Sequence, residues 1–331
     1  MRFAEWGELA FHRWLAARFG AGFSGAGFGD DAALLKSGNT RVAVTTDAVV
    51  EGVHFRRDWF SWAEIGRRAV YGCLSDLAAV CAQPLALLLS LGVPEDLSAA
   101  AVRAFTNAVA QTAAEYGARL AGGDTTQSKG FFADLVAVGE TKQPWLRSGA
   151  QIGDALVVTG ALGAPTAAIA LLEKGQRPAA RWRALRNRLA APRPRIIEAQ
   201  ALACLPVHAA LDISDGLLLD ASRLAAASGL RAEIRADLIP LADGVAEAAR
   251  ALGRPELEFA AGGGEEYELL IALAAEQVPT ARQKLAVLNC PLTVVGHVVE
   301  GSGAVLLDSR GVCIRLPTTG WEHYGGRPQA G

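Results

Sequence analysis

The chain has 331 residues, is 51% hydrophobic and 20% charged, and carries a formal net charge of −2, which describes a folded protein with core enough for two domains. That near-neutral balance supplies no basic field for nucleic acid. The longest apolar run, "LALLLSLGV" (85–93), is about half the length a membrane-spanning helix needs, so neither nucleic acid nor membrane is an expected partner.

Five cysteines (Cys73, Cys81, Cys204, Cys290 and Cys313), odd in number and without CxxC spacing, argue against a thiolate metal site and fit reduced, buried thiols. The N-terminus lacks a charged n-region followed by an apolar core. A soluble, cytoplasmic protein is expected.

In chain order, "EWGELAFHRWLAARFG" (5–20) reads as an amphipathic helix, with Trp6, Leu9, Ala10 and Leu15 near one face. "GFSGAGFG" (22–29) does not fit GxGxxG and reads as a mobile loop, which is compatible with a role over phosphates. A β-branched strand follows at 40–47, then a helix at 61–82, a buried strand at 84–93 and a long helix at 95–117, with Ser98 near its start and Gly117 at its stop. Further strands are expected at 118–122 and 131–140.

"RSGAQIGDALVVTG" (147–160) changes from polar to Val-rich, which predicts a boundary near residue 150 and domains of 1–150 and 151–331. The second half predicts helices at 164–174, 194–204, 217–228, 241–252 and 277–288. Its strands are expected near 155–159, 207–213, 230–236, 267–273, 292–299 and 303–315. The basic stretch 177–195 reads as a solvated helix and linker in preference to a phosphate site. The fold class is α/β (α+β), with mixed sheets covered by helices.

Acids recur beside Gly, Ser or Thr: Asp30 and Asp31 in "GDD", Asp47, Glu51 and then His54 in "TTDAVVEGVH", Asp76 in "LSDLAA", Asp124 in "AGGDTT", Asp212 and Asp215 in "DISDG", and Glu265 and Glu266 in "GGGEEYE". Any one of these alone is ordinary turn or cap chemistry. Each falls where a predicted strand ends or a Gly-rich turn begins, which is where α/β proteins place ligands. If they converge, two carboxylates about 4 Å apart repel by roughly 4 kcal/mol at an effective dielectric of 20, a cost that a divalent cation removes.

Oxygen-only donors favour Mg²⁺ or Ca²⁺ over zinc. An EF-hand counted from Asp212 fails, because Leu217 and Arg223 occupy its Gly and Glu positions. Scattered acids with Ser and Thr neighbours suit Mg²⁺ bridging substrate phosphates. No GxxxxGK[ST] loop and no protein-kinase HRD or DFG set is present.

Taken together, "GFGDDAALL", "VAVTTDAVVEGVHF", "CLSDLAAVCAQPLALLLSLGVP", "LAGGDTT", "LRSGAQIGDALVVTGALG", "LDISDGLLLDASRLAAASGL", "GGGEEYELL" and the terminal "GWEHYGG" resemble the thiamine-monophosphate kinase family, within the aminoimidazole ribonucleotide synthetase-like superfamily. The resemblance spans nearly the whole chain in order. It implies a two-domain α/β scaffold that binds ATP and several Mg²⁺ ions, dimerises through its N-terminal domain, and phosphorylates thiamine monophosphate to thiamine diphosphate by direct in-line transfer.

By similarity, Asp30, Thr45, Thr46, Asp47, Asp76, Asp124, Asp212 and Asp215 would hold Mg²⁺, while Gly123, Asp124, Arg147 and Ser214 would bind ATP. His54, Glu265 and Trp321 would face the acceptor. Asp30, Asp47, Asp76, Asp212 and Arg147 would carry catalysis. Against these stand structural roles for His54 as a strand-end residue and Trp321 as a packing residue, and Asp31 and Glu51 are left unassigned. The chain departs from the family pattern at Cys73 (commonly Asn), Cys81 (commonly Gly), Glu266 (commonly Asp) and Gln127 (frequently Arg). The alternatives are another ATP-dependent enzyme of the superfamily or a non-catalytic nucleotide- or metal-binding protein.

Overall fold

The structure, a computed structural model, describes residues 3–19, 27, 29–176 and 180–321. Most of the 22–29 loop, and "GWEHYGG" beyond Trp321, lie outside the described residues. The expected N-terminal helix is two helices, α1 (Phe3–Trp6) and α2 (Glu8–Phe19), broken at Gly7, whose φ of 83° is left-handed. None of their described side chains is buried, and Trp14 and Phe19 are 45% and 54% exposed. The apolar face expected there therefore does not enter the core. Leu9 lies outside the described side chains.

The N-terminal sheet contains β1 (Ala33–Ser37), β2 (Thr40–Val50), β3 (Gln83–Val93), β4 (Arg119–Gln127) and β5 (Phe132–Thr141) in the order β1-β2-β5-β3-β4. Neighbours are antiparallel except β3 and β4, which run parallel and are joined through α4 (Ala99–Glu115). α3 (Trp62–Ala79) covers β2 and β5. It starts at a capping box in which Ser61 and Glu64 satisfy each other's backbone N–H groups.

The C-terminal sheet has seven strands: β6 (Ala155–Thr159), β7 (Val207–Ile213), β8 (Arg231–Arg235), β9 (Glu268–Leu273), β10 (Leu292–Val299), β11 (Gly303–Leu307) and β12 (Cys313–Ile314). Their order is β12-β11-β8-β10-β6-β9-β7. The helices of this half are α5 (Ala164–Glu173), α6 (Arg183–Ala190), α7 (Ile196–Leu202), α8 (Leu217–Ala227), α9 (Val245–Leu252), α10 (Glu256–Ala260) and α11 (Val278–Ala286). Every residue of β6 and β9 is buried.

Alternate residues of β6 and β9 feed two cores, as the two-residue period of a strand requires. Leu156, Val158 and Leu270 join one core, while Val157, Leu269 and Ile271 join the other. The second core is continuous with Leu74 and Leu77 of α3 and Leu135 of β5. α3 also packs against β7, so a single buried helix links the two sheets.

The described part of the basic stretch, residues 180–195, is not a solvated linker. Trp182, Leu185 and Leu189 are buried, and Arg188 and Arg195 reach the buried Glu268 at 2.5 and 2.6 Å. Stacking of Arg68 and Arg186 on Phe60, each 4.8 Å from the ring centroid, ties α6 to α3 and the segment before it. Cys73, Cys81 and Cys290 are buried as expected, whereas Cys204 and Cys313 are exposed. No helix among the described residues is long and apolar enough to cross a membrane.

Candidate active site

Three carboxylates from separate elements meet beside α3. Asp31 precedes β1, Asp76 lies in the last turn of α3 and Asp212 is near the end of β7, and one oxygen from each lies within 4.8 Å of the others. Asp31 and Asp212 are only 8% and 3% exposed. Thr45 donates its hydroxyl to Asp76 Oδ2 at 2.6 Å, while Asp212 Oδ2 is buried without a protein partner. Burial, followed by the neighbouring Asp212 and Asp31, pushes the Asp76 carboxyl well above the usual range. Burial, with Asp31 next, does the same to Asp212.

Arg147 borders the trio. Its backbone N–H donates to Asp30 Oδ1 at 2.8 Å, and its guanidinium donates to both oxygens of Asp31 at 2.6 and 3.3 Å. Burial raises the Asp30 carboxyl, opposed by that backbone hydrogen bond. Asp31, to which its sequence context assigns no role, is brought into the cluster by the fold.

Asp47 sits against a notch in α3, where a Cβ on Gly72 would overlap the Asp47 carboxylate and crowd the Tyr267 hydroxyl. Burial, with Asp134, Glu265 and Asp215 adding repulsion, raises its pKa to about 7. Asp47 does not close its strand as expected, because β2 continues to Val50 in an unbroken ladder with β5. Asp124 likewise lies inside β4, where Gly122 and Gly123 are strand residues. A Cβ on Gly123 would overlap the Leu89 carbonyl oxygen of β3, so glycine here permits close strand approach where a turn was expected.

Strand pleating divides the expected ligand set. Thr46 donates to Asp134 Oδ1 at 2.7 Å, and cross-strand register places Asp134, Ser90 and Asp124 in one row. Thr46, Asp134 and the exposed Asp124 thus occupy the sheet face opposite to that of Thr45 and Asp47. Asp124 does not join the acidic trio, and Thr46 faces away from it towards Asp134.

The Gly-rich segment before β9 lies on the turn after β7. Backbone N–H groups of Glu265 and Tyr267 donate to the carbonyls of Ser214 and Ile213 at 2.7 and 2.9 Å. Glu265 and Tyr267 adopt left-handed φ values of 62° and 51°, a strain that concentrates at functional sites. Arg68 binds Glu265 Oε1 at 2.7 Å, and the other carboxylate oxygen is buried without a protein partner.

Asp215 is held by Arg223 at 2.5 Å. Asp220 accepts from the backbone N–H groups of Asp215 and Gly216, both at 3.0 Å, and burial lifts its pKa to about 6. Trp321 donates its backbone N–H to the Asp215 carbonyl at 2.9 Å, which brings the end of the described chain to this turn. His54 Nδ1 accepts from the Val50 backbone N–H at 3.0 Å, fixing the turn after β2.

Arg68, Asp134, Asp220 and Arg223 were missed from the sequence. Only the i,i+3 spacing of Asp220 and Arg223 is a local signal. The donors are hard oxygens, the carboxylates repel one another, and one buried oxygen of Asp212 is unpartnered, so the site suits a hard divalent cation.

The AIR synthase related protein models match this chain, the N-terminal domain over residues 29–141 and the C-terminal domain over 151–308. The two sheets are therefore those of an AIR synthase related protein. "Thiamine-monophosphate kinase" of Mycobacterium tuberculosis is 32% identical over 90% of this chain and 86% of its own. The protein of that name from Pyrococcus horikoshii is 32% identical over 92% and 93%. A solved structure of "AaThiL complexed with AMPPCP and TMP" superposes with a TM-score of 0.87 at 30% identity, covering 98% of this chain and 99% of that one. The chain belongs to the thiamine-monophosphate kinase family.

Proposed function

We propose that the protein transfers the γ-phosphoryl group of ATP to the phosphate of thiamine monophosphate, giving thiamine diphosphate and ADP. The observation that carries the mechanism is the meeting of Asp76 from the N-terminal half with Asp212 from the C-terminal half beside Arg147. The relative solved with AMPPCP and TMP supports the same pair of substrates.

Donor and acceptor phosphates repel, so catalysis here is neutralisation and in-line positioning, without a protein nucleophile. Asp30, Thr45, Asp47, Asp76, Asp212 and Asp215 on one side, and Thr46 and Asp124 on the opposite face of the N-terminal sheet, are the proposed Mg²⁺ ligands, and Mg²⁺ when bound would supply charge compensation for the phosphate oxygens. Gly123, Asp124, Arg147 and Ser214 are the proposed ATP contacts. Arg147 offers a planar fork of donors that matches phosphate oxygens. His54, Glu265 and Trp321 are proposed to bind the acceptor, with Arg68 fixing the direction of Glu265.

In this reading residues 1–150 form the ATP- and Mg²⁺-binding domain, which also dimerises, and residues 151–331 complete the site. Dimerisation draws support from the open edge of β4 and from Leu85 and Leu88 of β3, which are 43% and 41% exposed. A cytoplasmic location completes the proposal. Label from γ-labelled ATP is expected to appear in thiamine diphosphate in the wild type and to be lost in Asp76→Asn. Labelled product from Asp76→Asn at the wild-type rate would remove the assigned role.

A further inference from the structure

We infer that Asp31 is a positioning residue, which holds Arg147 beside the Asp76 and Asp212 pair so that its guanidinium meets the nucleotide's phosphates already oriented. The inference rests on the proposed contact between Arg147 and ATP. The Asp31 side chain is 1% exposed, and that of Arg147 keeps 22% of its surface accessible. The carboxylate is therefore committed to the interior, while the arginine side chain keeps part of its surface accessible.

Both oxygens of Asp31 accept from the guanidinium, at 2.6 Å from Nη2 and 3.3 Å from Nε. This two-point contact fixes the plane of the fork as well as its position. The main chain of Arg147 is anchored separately, because its N–H donates to Asp30 at 2.8 Å and the preceding Leu146 carbonyl accepts from Ala210 of β7 at 2.9 Å. Arg147 is thus held at its backbone and at its head.

A long cationic side chain that is free to rotate loses rotamer entropy when it binds a phosphate, and one already fixed does not. Asp31 also lies within 4.8 Å of Asp76 and Asp212, so its charge would add to their repulsion if the guanidinium did not offset it. The same short ion pair therefore keeps a third carboxylate tolerable in the cluster and aims the arginine.

The test measures binding of a non-hydrolysable ATP analogue with Mg²⁺ by calorimetry, together with steady-state kinetics, in Asp31→Asn, Arg147→Lys and the double variant. Asp31→Asn is expected to weaken analogue binding and raise KM for ATP by about tenfold. KM for thiamine monophosphate is expected to stay at the wild-type value, and Mn²⁺ binding without nucleotide, read by electron paramagnetic resonance, to fall less than nucleotide affinity, because both oxygens of Asp31 are engaged by Arg147 and Asp76 and Asp212 remain. Adding Asp31→Asn to Arg147→Lys is expected to cost less than about twofold more, because both changes break one unit.

Wild-type analogue affinity in Asp31→Asn would overturn the inference, as would fully additive losses. So would lost Mn²⁺ binding with nucleotide affinity kept, which would make Asp31 a cation ligand instead. Unchanged affinity in Arg147→Lys would overturn the reading of Arg147 itself. Weakened Arg147→Lys beside normal Asp31→Asn would overturn the positioning role alone. If Asp31→Asn does not fold, Asp31→Glu keeps the charge and displaces the guanidinium by one methylene. It is expected to fold and to bind the analogue more weakly, and wild-type affinity would count against the role.

Discussion

Asp212 shows how a residue can be costly to the fold and needed for the chemistry. Its carboxylate is buried beside Asp31, one oxygen has no protein partner, and its pKa is pushed well up. Replacing it by the neutral isostere Asn removes the charge that burial and repulsion penalise. Asp212→Asn is therefore expected to raise the melting temperature of metal-free protein at pH 8 while lowering kcat by about a hundredfold or more, the scale of losing a charge-stabilising group. Calorimetry and turnover on the same preparation check both halves. A variant with lower thermal stability and near-normal turnover would contradict this role. Cys81 carries strain of another kind: its φ of 54° is left-handed, which explains why the resemblance leads one to expect glycine at this position.

The basic stretch around α6 separates a structural arginine from a surface one. Arg195 binds Glu268 through two nitrogens, each at 2.6 Å, and Glu268 is fully buried. Removing Arg195 strips two charge-assisted hydrogen bonds from Glu268 while Arg188 and Thr159 still hold it, so Arg195→Ala is expected to cost about 3 kcal/mol in denaturant unfolding. Arg250, whose side chain is 72% exposed and pairs with Glu247 at 3.5 Å, is expected to contribute close to nothing. Equal losses in the two variants would contradict the assignment.

This stretch also marks a limit of sequence reading. Its arginines looked solvated because Glu64, Glu268 and Phe60 lie far away in sequence. The central elements were legible from their apolar patterns: β3, β6 and β9 and the long helices α3 and α4 fall near their expected limits, although β3, expected to be buried, exposes Leu85 and Leu88. β1, with three of its five residues exposed, carries too weak an alternation to be seen. Asp76 and Asp212 were found from their local words, whereas Asp31, Arg68 and Asp134 acquire meaning only through residues that the fold brings beside them.

At the scale of the whole molecule, the acidic centre ties stability to pH and to metal. Asp47 titrates near 7 in the folded chain against 3.8 ordinarily, so the folded state binds the extra proton between those values. Stability from this group is fully present below about pH 4, is lost as pH rises towards about 7, and is flat beyond. In chelator, the melting temperature is expected to fall as pH rises from 5 to 8. Added Mg²⁺ is expected to restore it most at pH 8, because the ion binds the folded state. A melting temperature that rises with pH in chelator would contradict a repulsive, metal-seeking centre.

The most direct test of the whole reading is product formation. With ATP, Mg²⁺ and thiamine monophosphate at saturation, thiamine diphosphate and ADP are expected to appear in equal amounts, and both are expected to vanish when Mg²⁺ is chelated. ADP released without thiamine diphosphate, or no product at all from folded protein, would contradict it.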